Sequence, residues 1–267
     1  MRILIFGASG FIGAHLAQYA AIRGHEVAAL CRSGVVAGFA GTCLKWTFEA
    51  PLTASVMDGA NCAIHLAHDF NGSKGAQMTL RETLTNVERL RAAGVKRQIF
   101  FSSYSAGQHA TSLYGRTKLA IENGLAGADD IVIVRPGLVL GDGGIYGRIR
   151  KWARRLPAIP LPDGGYGQVP IIDVERLCQE TLAIAEASAP ERENNLFEKQ
   201  PRSLRQLVLD AAAEGGRSPW IISVPALVIV IGLRIVAVLR LPLPVNADNL
   251  EGFLANQAAR HISILKD

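Results

Sequence analysis

Tyr114 and Lys118 stand at i and i+4 in Tyr114-Gly115-Arg116-Thr117-Lys118. On a helix that spacing puts a phenol and an ammonium on one face. Ser102 and Ser103 close the run Val95-Lys96-Arg97-Gln98-Ile99-Phe100-Phe101, a short distance before the tyrosine. A phenol titrates near about 10, too high to act as a base at neutral pH. A neighbouring ammonium favours the phenolate, so Lys118 is expected to lower Tyr114. Tyr114 can then pass a proton to or from a substrate oxygen. Ser103 can hydrogen-bond the same oxygen and stabilise charge that develops on it. A Tyr-x-x-x-Lys pattern alone is a weak signal, and the elements around it decide its meaning.

Those elements begin at the N-terminus. Arg2-Ile3-Leu4-Ile5-Phe6 reads as a buried strand, and Ala14 to Ala21 has helical composition. Between them runs Gly7-Ala8-Ser9-Gly10-Phe11-Ile12-Gly13. A strand that turns through glycines into a helix gathers free N–H groups and a positive helix end, a site for a pyrophosphate. Gly7 permits the turn, Gly10 lets the pyrophosphate approach, and Gly13 lets helix and strand lie close. Ser9, Phe11 and Ile12 share this expected cofactor contact. His25 to Cys31 is a second strand, followed by Arg32-Ser33 with no acid between Val27 and Gly34. An acid here would bind the ribose of NAD, whereas a basic residue accommodates the 2′-phosphate of NADP. Arg32, with Ser33 as a donor, therefore favours NADP, with NAD as the alternative.

Further strands are expected at Leu44–Trp46, Cys62–Ala67, Val95–Ser103 and Ile131–Gly137, with a helix from about Gln77 to Ala93. Alternation of apolar strands and helices predicts an α/β fold with a Rossmann-type, doubly wound parallel sheet. His65 and His68, on a strand and its exit, share poor geometry for a metal, and none is expected. His65 reads as a packed strand residue, and His68-Asp69 as lining the site mouth. Asp173 reads as a helix cap.

The chain has 267 residues, 49% of them hydrophobic, which suits a large packed core and excludes a disordered chain. Its net charge of +5 is spread out, which suits an anionic nucleotide without implying nucleic acid. The four cysteines form no CxxC pair and read as reduced core residues. The first strand takes up the chain at Met1-Arg2, so a cytoplasmic protein without a signal peptide is expected. Trp220 to Leu241 is mostly apolar but is interrupted by Pro225, Arg234 and Arg240. It reads as a helix with Leu227, Val230, Ile231 and Ile235 on a buried face, with membrane-surface contact as the lesser alternative.

The GxxGxxG spacing resembles that of the short-chain dehydrogenase/reductase superfamily. The Gly10-Phe11-Ile12-Gly13 ending is similar to its extended branch of epimerases and dehydratases. So are His65-Leu66-Ala67, the Ser102-Ser103 strand end, Tyr114-x-x-x-Lys118, Arg135-Pro136-Gly137 and Val169-Pro170-Ile171-Ile172-Asp173-Val174. The resemblance implies that Leu66, Ala67 and Ser102 line the cofactor, that Lys118 also holds the nicotinamide ribose, and that Pro136 passes near the nicotinamide. It implies a NAD(P)-binding domain of residues 1–140 and 164–188. The substrate-binding lobe is then 141–163 and 189–267, and a homodimer through a helix bundle is expected.

Some positions depart from the family pattern. Thr47-Phe48-Glu49 lacks the usual adenine-binding Asp, Asn61 stands for an Asp, and Thr79 replaces an Asn. Tyr104-Ser105 replaces the acidic pair of the dehydratases, and Gly137-Leu138 replaces the Asn of sugar-nucleotide enzymes. The expected function is an NADP-dependent oxidoreductase acting on a small-molecule carbonyl or alcohol through Ser103, Tyr114 and Lys118. The alternatives are a nucleotide-sugar epimerase with tightly bound NAD(P) and a non-catalytic NADP(H)-binding sensor or assembly subunit.

Overall fold

The computed structural model describes residues 1–238, 248, 251, 252 and 262–265, with side chains in the last helix described as far as Leu233. The first half alternates as the apolar pattern demands. β1 (Arg2–Phe6) turns into α1 (Phe11–Ile22), then come β2 (Glu26–Cys31), β3 (Thr42–Lys45) and the short α2 (Ala54–Met57). β4 (Cys62–His65), α3 (Gly72–Ala92), β5 (Arg97–Phe101), α4 (Leu113–Gly124) and β6 (Ile131–Pro136) follow. α3 starts ahead of the expected Gln77, with a first turn, Gly72-Ser73-Lys74, that lacks the apolar periodicity by which a helix is read from sequence.

The second half contains β7 (Leu138–Leu140), α5 (Gly144–Ala153), β8 (Ala158–Pro162), β9 (Gln168–Val169), β10 (Ile171–Asp173) and α6 (Val174–Glu186). β11 (Glu193–Leu196), β12 (Arg202–Ser203), α7 (Leu204–Ala213), β13 (Trp220–Val224) and α8 (Ala226–Val238) complete the described elements.

The main sheet is parallel, with seven strands in the order β11-β6-β5-β4-β1-β2-β3. The chain winds outward from β1 to β3 and then returns to β4 on the other side of β1. The crevice at this reversal is where doubly wound sheets bind ligands, and the glycine turn after β1 lies there. Ile3, Leu4, Ile5, Ala63, Ile64, Ile99 and Val134 have 0% exposure, as central parallel strands covered on both faces require. β11 falls within the stretch expected to open the substrate lobe, yet it pairs with β6 in the main sheet. Leu196 there is fully buried.

A separate core of Tyr146, Ala153, Ile159, Leu161, Val169, Ile171, Leu207, Val208 and Ala211 holds a small lobe together. β13 pairs with β8, and β12 with β9, within this lobe. Of the expected buried face of α8, Val230 is buried, whereas Leu227 is 71% and Ile231 50% exposed. No described element covers that side of the helix. The side chains of Arg234 and Ile235, and all of Arg240 and Leu241, lie outside the described residues. Among the described residues no helix is long and apolar enough to cross a membrane.

Candidate active site

The glycine turn is held against the ends of two strands. The N–H groups of Gly7 and Ala8 donate to the Leu30 carbonyl at 2.9 and 3.2 Å. Gly7 has φ +81°, and a Cβ on it would stand 2.7 Å from the Ala67 nitrogen and 3.0 Å from the Leu66 carbonyl carbon. A Cβ on Gly13 would stand 2.5 Å from the Gly7 oxygen. Both positions are closed to any larger residue. Gly10 differs, because a Cβ there would meet only the Gly7 oxygen, at 3.2 Å. Gly10 is exposed, and as the N-cap of α1 it gives no side-chain cap to the first-turn N–H groups. This open cradle at a positive helix end fits the pyrophosphate of a dinucleotide.

Gly7, Gly10, Gly13, Leu66 and Ala67 are thus brought to one place. Ser9 is exposed beside Gly10, and Phe11 and Ile12 form the first turn of α1. The Phe11 ring packs against the backbone at Gly141, Gly143 and Gly144, where a Cβ would stand 2.6, 2.3 and 3.2 Å from it. At the end of β2, Arg32 is exposed and makes no hydrogen bond or ion pair among the described residues. Ser33 Oγ donates to the Val35 carbonyl at 2.8 Å.

The second group of site residues gathers where α4 lies on the loop after β5. A Cβ on Gly115 would stand 2.6 Å from the Ser105 carbonyl oxygen, so only glycine lets the helix sit this low. Ser112 caps α4, its Oγ accepting from the Gly115 N–H at 3.0 Å. The Asp248 carboxylate adds a second cap, accepting from the Leu113 and Tyr114 N–H groups. Ser103 Oγ accepts from the Ser105 N–H at 3.1 Å. Ser102 is buried, and its Oγ has no partner among the described residues. The Tyr104 N–H donates to the Pro136 carbonyl at 3.1 Å, which ties the end of β6 to the same loop.

Lys118 is 2% exposed. Its Nζ donates to the Phe101 carbonyl at 2.6 Å and lies 4.8 Å from the Phe100 ring centre and 5.6 Å from that of Tyr114. Burial draws its pKa down to about 7, against the opposing charge of Glu122. Glu122 is buried too, and both its oxygens accept from Arg135, at 2.9 and 2.6 Å. Burial also pushes the Tyr114 phenol up to about 12. The expected lowering of Tyr114 by Lys118 is therefore corrected. Desolvation outweighs the ammonium, which is itself only partly charged at neutral pH. The Tyr114 phenol is therefore protonated at neutral pH.

His65 is packed as expected, stacked on Phe6 with ring centres 5.0 Å apart. Its Nε2 contacts Gln98 Oε1 at 3.0 Å, and burial lowers its pKa to about 4, so the ring is neutral. His68 lies edge-on to Tyr114 with ring centres 4.9 Å apart, and Phe70 is stacked on Tyr114 at 6.0 Å. Phe70 and Asp248 escaped the sequence reading. Neither belongs to a spaced motif, and Asp248 is 134 residues from Tyr114.

The sequence matches the NAD-dependent epimerase/dehydratase family over residues 3–197. The chain belongs to that family. Its members are epimerases and dehydratases, so the chain is an enzyme by descent. No curated protein matches it significantly. Among solved structures, MoeE5 in complex with UDP-glucose and NAD superposes with a TM-score of 0.70 at 20% identity, over 84% of this chain and 85% of the other. UDP-glucose 4-epimerase from Thermotoga maritima with UDP-glucose gives 0.68 at 18% identity, over 84% and 86%. UDP-glucose 4-epimerase from Thermus thermophilus with NAD gives 0.65 at 17% identity, over 97% and 99%. At such identities the likeness establishes a shared fold, including the doubly wound sheet.

Proposed function

We propose that this family member is an NADP-dependent oxidoreductase that reduces a carbonyl group on a small molecule. The observation that carries this reading is the phenol of Tyr114, raised to about 12 by burial above the Lys118 ammonium. A phenol held protonated suits delivery of a proton to a carbonyl oxygen better than removal of one from an alcohol.

Gly7, Ser9, Gly10, Phe11, Ile12 and Gly13 would hold the cofactor's pyrophosphate, with Leu66, Ala67, Ser102 and Pro136 toward its nicotinamide end. Lys118 would hold the nicotinamide ribose. Arg32 would take the 2′-phosphate, in keeping with an exposed guanidinium at the end of β2 that has no partner among the described residues, and Ser33 would join it by giving up its hydrogen bond to the Val35 carbonyl. Bound there, the cofactor supplies the hydride. The protein's own part is to donate a proton from Tyr114 and a hydrogen bond from Ser103 to the same substrate oxygen. Lys118, near neutral in pKa, restores the tyrosine proton. The small lobe would supply the substrate pocket.

A nucleotide-sugar epimerase is the second reading, supported by the UDP-glucose and NAD named for the structural neighbours. Purified protein given NADPH with a panel of carbonyl compounds, and separately given UDP-sugars with NAD, distinguishes the two. NADPH consumption that Tyr114→Phe abolishes supports the reductase. Interconversion of UDP-sugars without net cofactor turnover overturns it. Neither activity, together with cofactor binding and a cellular phenotype that Tyr114→Phe leaves unchanged, supports a non-catalytic binding role.

A further inference from the structure

His68 sits on the loop between β4 and α3, and several contacts fix it there. Thr79 is fully buried, and its Oγ1 accepts from the Asp69 N–H at 2.9 Å while donating to the Gly75 carbonyl at 2.8 Å. Asp69 Oδ1 accepts from the Asn71 N–H at 3.0 Å. A Cβ on Gly75 would stand 2.6 Å from the Asp69 oxygen, so the start of α3 presses directly on the loop. The edge-on contact between His68 and Tyr114 is thus part of a rigid frame.

The two ring nitrogens of His68 stand in different surroundings. Nδ1 is buried with no partner among the described residues. Nε2 is not buried, and it has no hydrogen bond among the described residues. Burial, helped by the nearby charge of Lys118, lowers the imidazole to about 3. The ring is therefore neutral and carries one proton. A buried, orphaned N–H is rarer and costlier than an unused acceptor. The proton belongs on Nε2, on the open side.

We propose that His68 is a substrate-binding residue that donates its Nε2–H to a substrate oxygen adjacent to the one Tyr114 protonates. This rests on the reading of Tyr114 above and extends it to a substrate class, carbonyl compounds with a second oxygen on the neighbouring carbon. Two neutral donors on one wall of the site then hold two neighbouring oxygens. The exposed Phe70 ring borders the same wall and presents a flat apolar face.

The test has two arms. Nitrogen-15 NMR of the free protein near pH 7 reads the His68 tautomer directly. A neutral ring with Nε2–H is expected, and an Nδ1–H tautomer or an imidazolium overturns the proposal. The second arm compares wild type, His68→Phe, His68→Gln and Tyr114→Phe with NADPH and either diacetyl or acetone. His68→Phe should lose roughly 10- to 100-fold in kcat/KM for diacetyl, the cost of an oxygen left without its donor. The loss for acetone should be clearly smaller than that for diacetyl, and His68→Gln should restore much of the difference. Equal effects on diacetyl and acetone, or none on either, overturn the proposal. If Tyr114→Phe is inactive while His68→Phe behaves as wild type, only the His68 proposal fails. If Tyr114→Phe retains full activity, the reading of the site itself fails.

Discussion

The Asp248 carboxylate accepts the backbone N–H of Tyr114 at 3.3 Å and that of Leu113 at 2.5 Å. A residue near the C-terminus thereby caps the helix that carries the proposed acid, and its negative charge meets the positive helix end. Glu251 reinforces the junction, its carbonyl accepting from Thr111 Oγ1 at 3.3 Å. Asp248→Ala should cost about 1 kcal/mol in stability, because Ser112 still caps the helix. It should also lower kcat by loosening Tyr114. Melting temperature and kcat measured together check this, and Asp248→Asn should recover part of both.

Lys118 makes stability depend on pH. Its pKa is about 7 in the fold, against an ordinary value of 10.5. Between those values the unfolded chain binds the extra proton, so stability rises with pH from about 7 toward 10. Tyr114, raised to about 12, has the opposite sign, and its effect begins only above about 10. Melting temperature should therefore climb from neutral to about pH 9 in wild type. In Lys118→Met that climb should be flatter, and activity should be lost.

Arg32→Ala should weaken NADPH binding by roughly tenfold or more, as expected for loss of a charge-assisted hydrogen bond to phosphate. NADH binding should be nearly unchanged. Fluorescence titration of both cofactors decides the matter, and equal losses would remove Arg32 from the phosphate site.

Glu122 and Arg135 form a buried, two-pronged pair that joins α4 to β6, with Glu193 of β11 on the other Arg135 nitrogen at 2.7 Å. Removing one buried partner leaves an uncompensated charge. Glu122→Gln should cost about 3 kcal/mol, at the low end for such a break because Glu193 remains. It should also depress Lys118 further, since Glu122 is the charge that raises it. Denaturant unfolding measures the first effect, and the pH dependence of melting measures the second.

The glycines of the first turn separate packing from binding. Gly13→Ala places a Cβ 2.5 Å from the Gly7 oxygen and should destabilise the fold. Gly10→Ala meets only one atom, at 3.2 Å, and should fold while binding the dinucleotide more weakly. Melting temperature and cofactor titration of both variants test the contrast.

The local pieces follow from short stretches of sequence. The apolar run of β1, the glycine spacing after it and the start of α1 are contiguous, so composition and backbone sterics settle them without reference to the rest of the chain. The i, i+4 placement of Tyr114 and Lys118 follows from helix geometry in the same way. The strand at Glu193–Leu196 was not legible, because Glu193-Asn194-Asn195 lacks the apolar pattern and the strand exists through its pairing with β6. The exposure of Leu227 and Ile231 was also hidden, since an apolar helix face does not reveal whether another element will cover it. The protonation of the site comes from the packing around it. Burial raised Tyr114 and lowered Lys118 and His68, reversing the expected phenolate. Desolvation is a property of everything packed around a group, and Asp248 reached Tyr114 only because the chain folded back across the helix end.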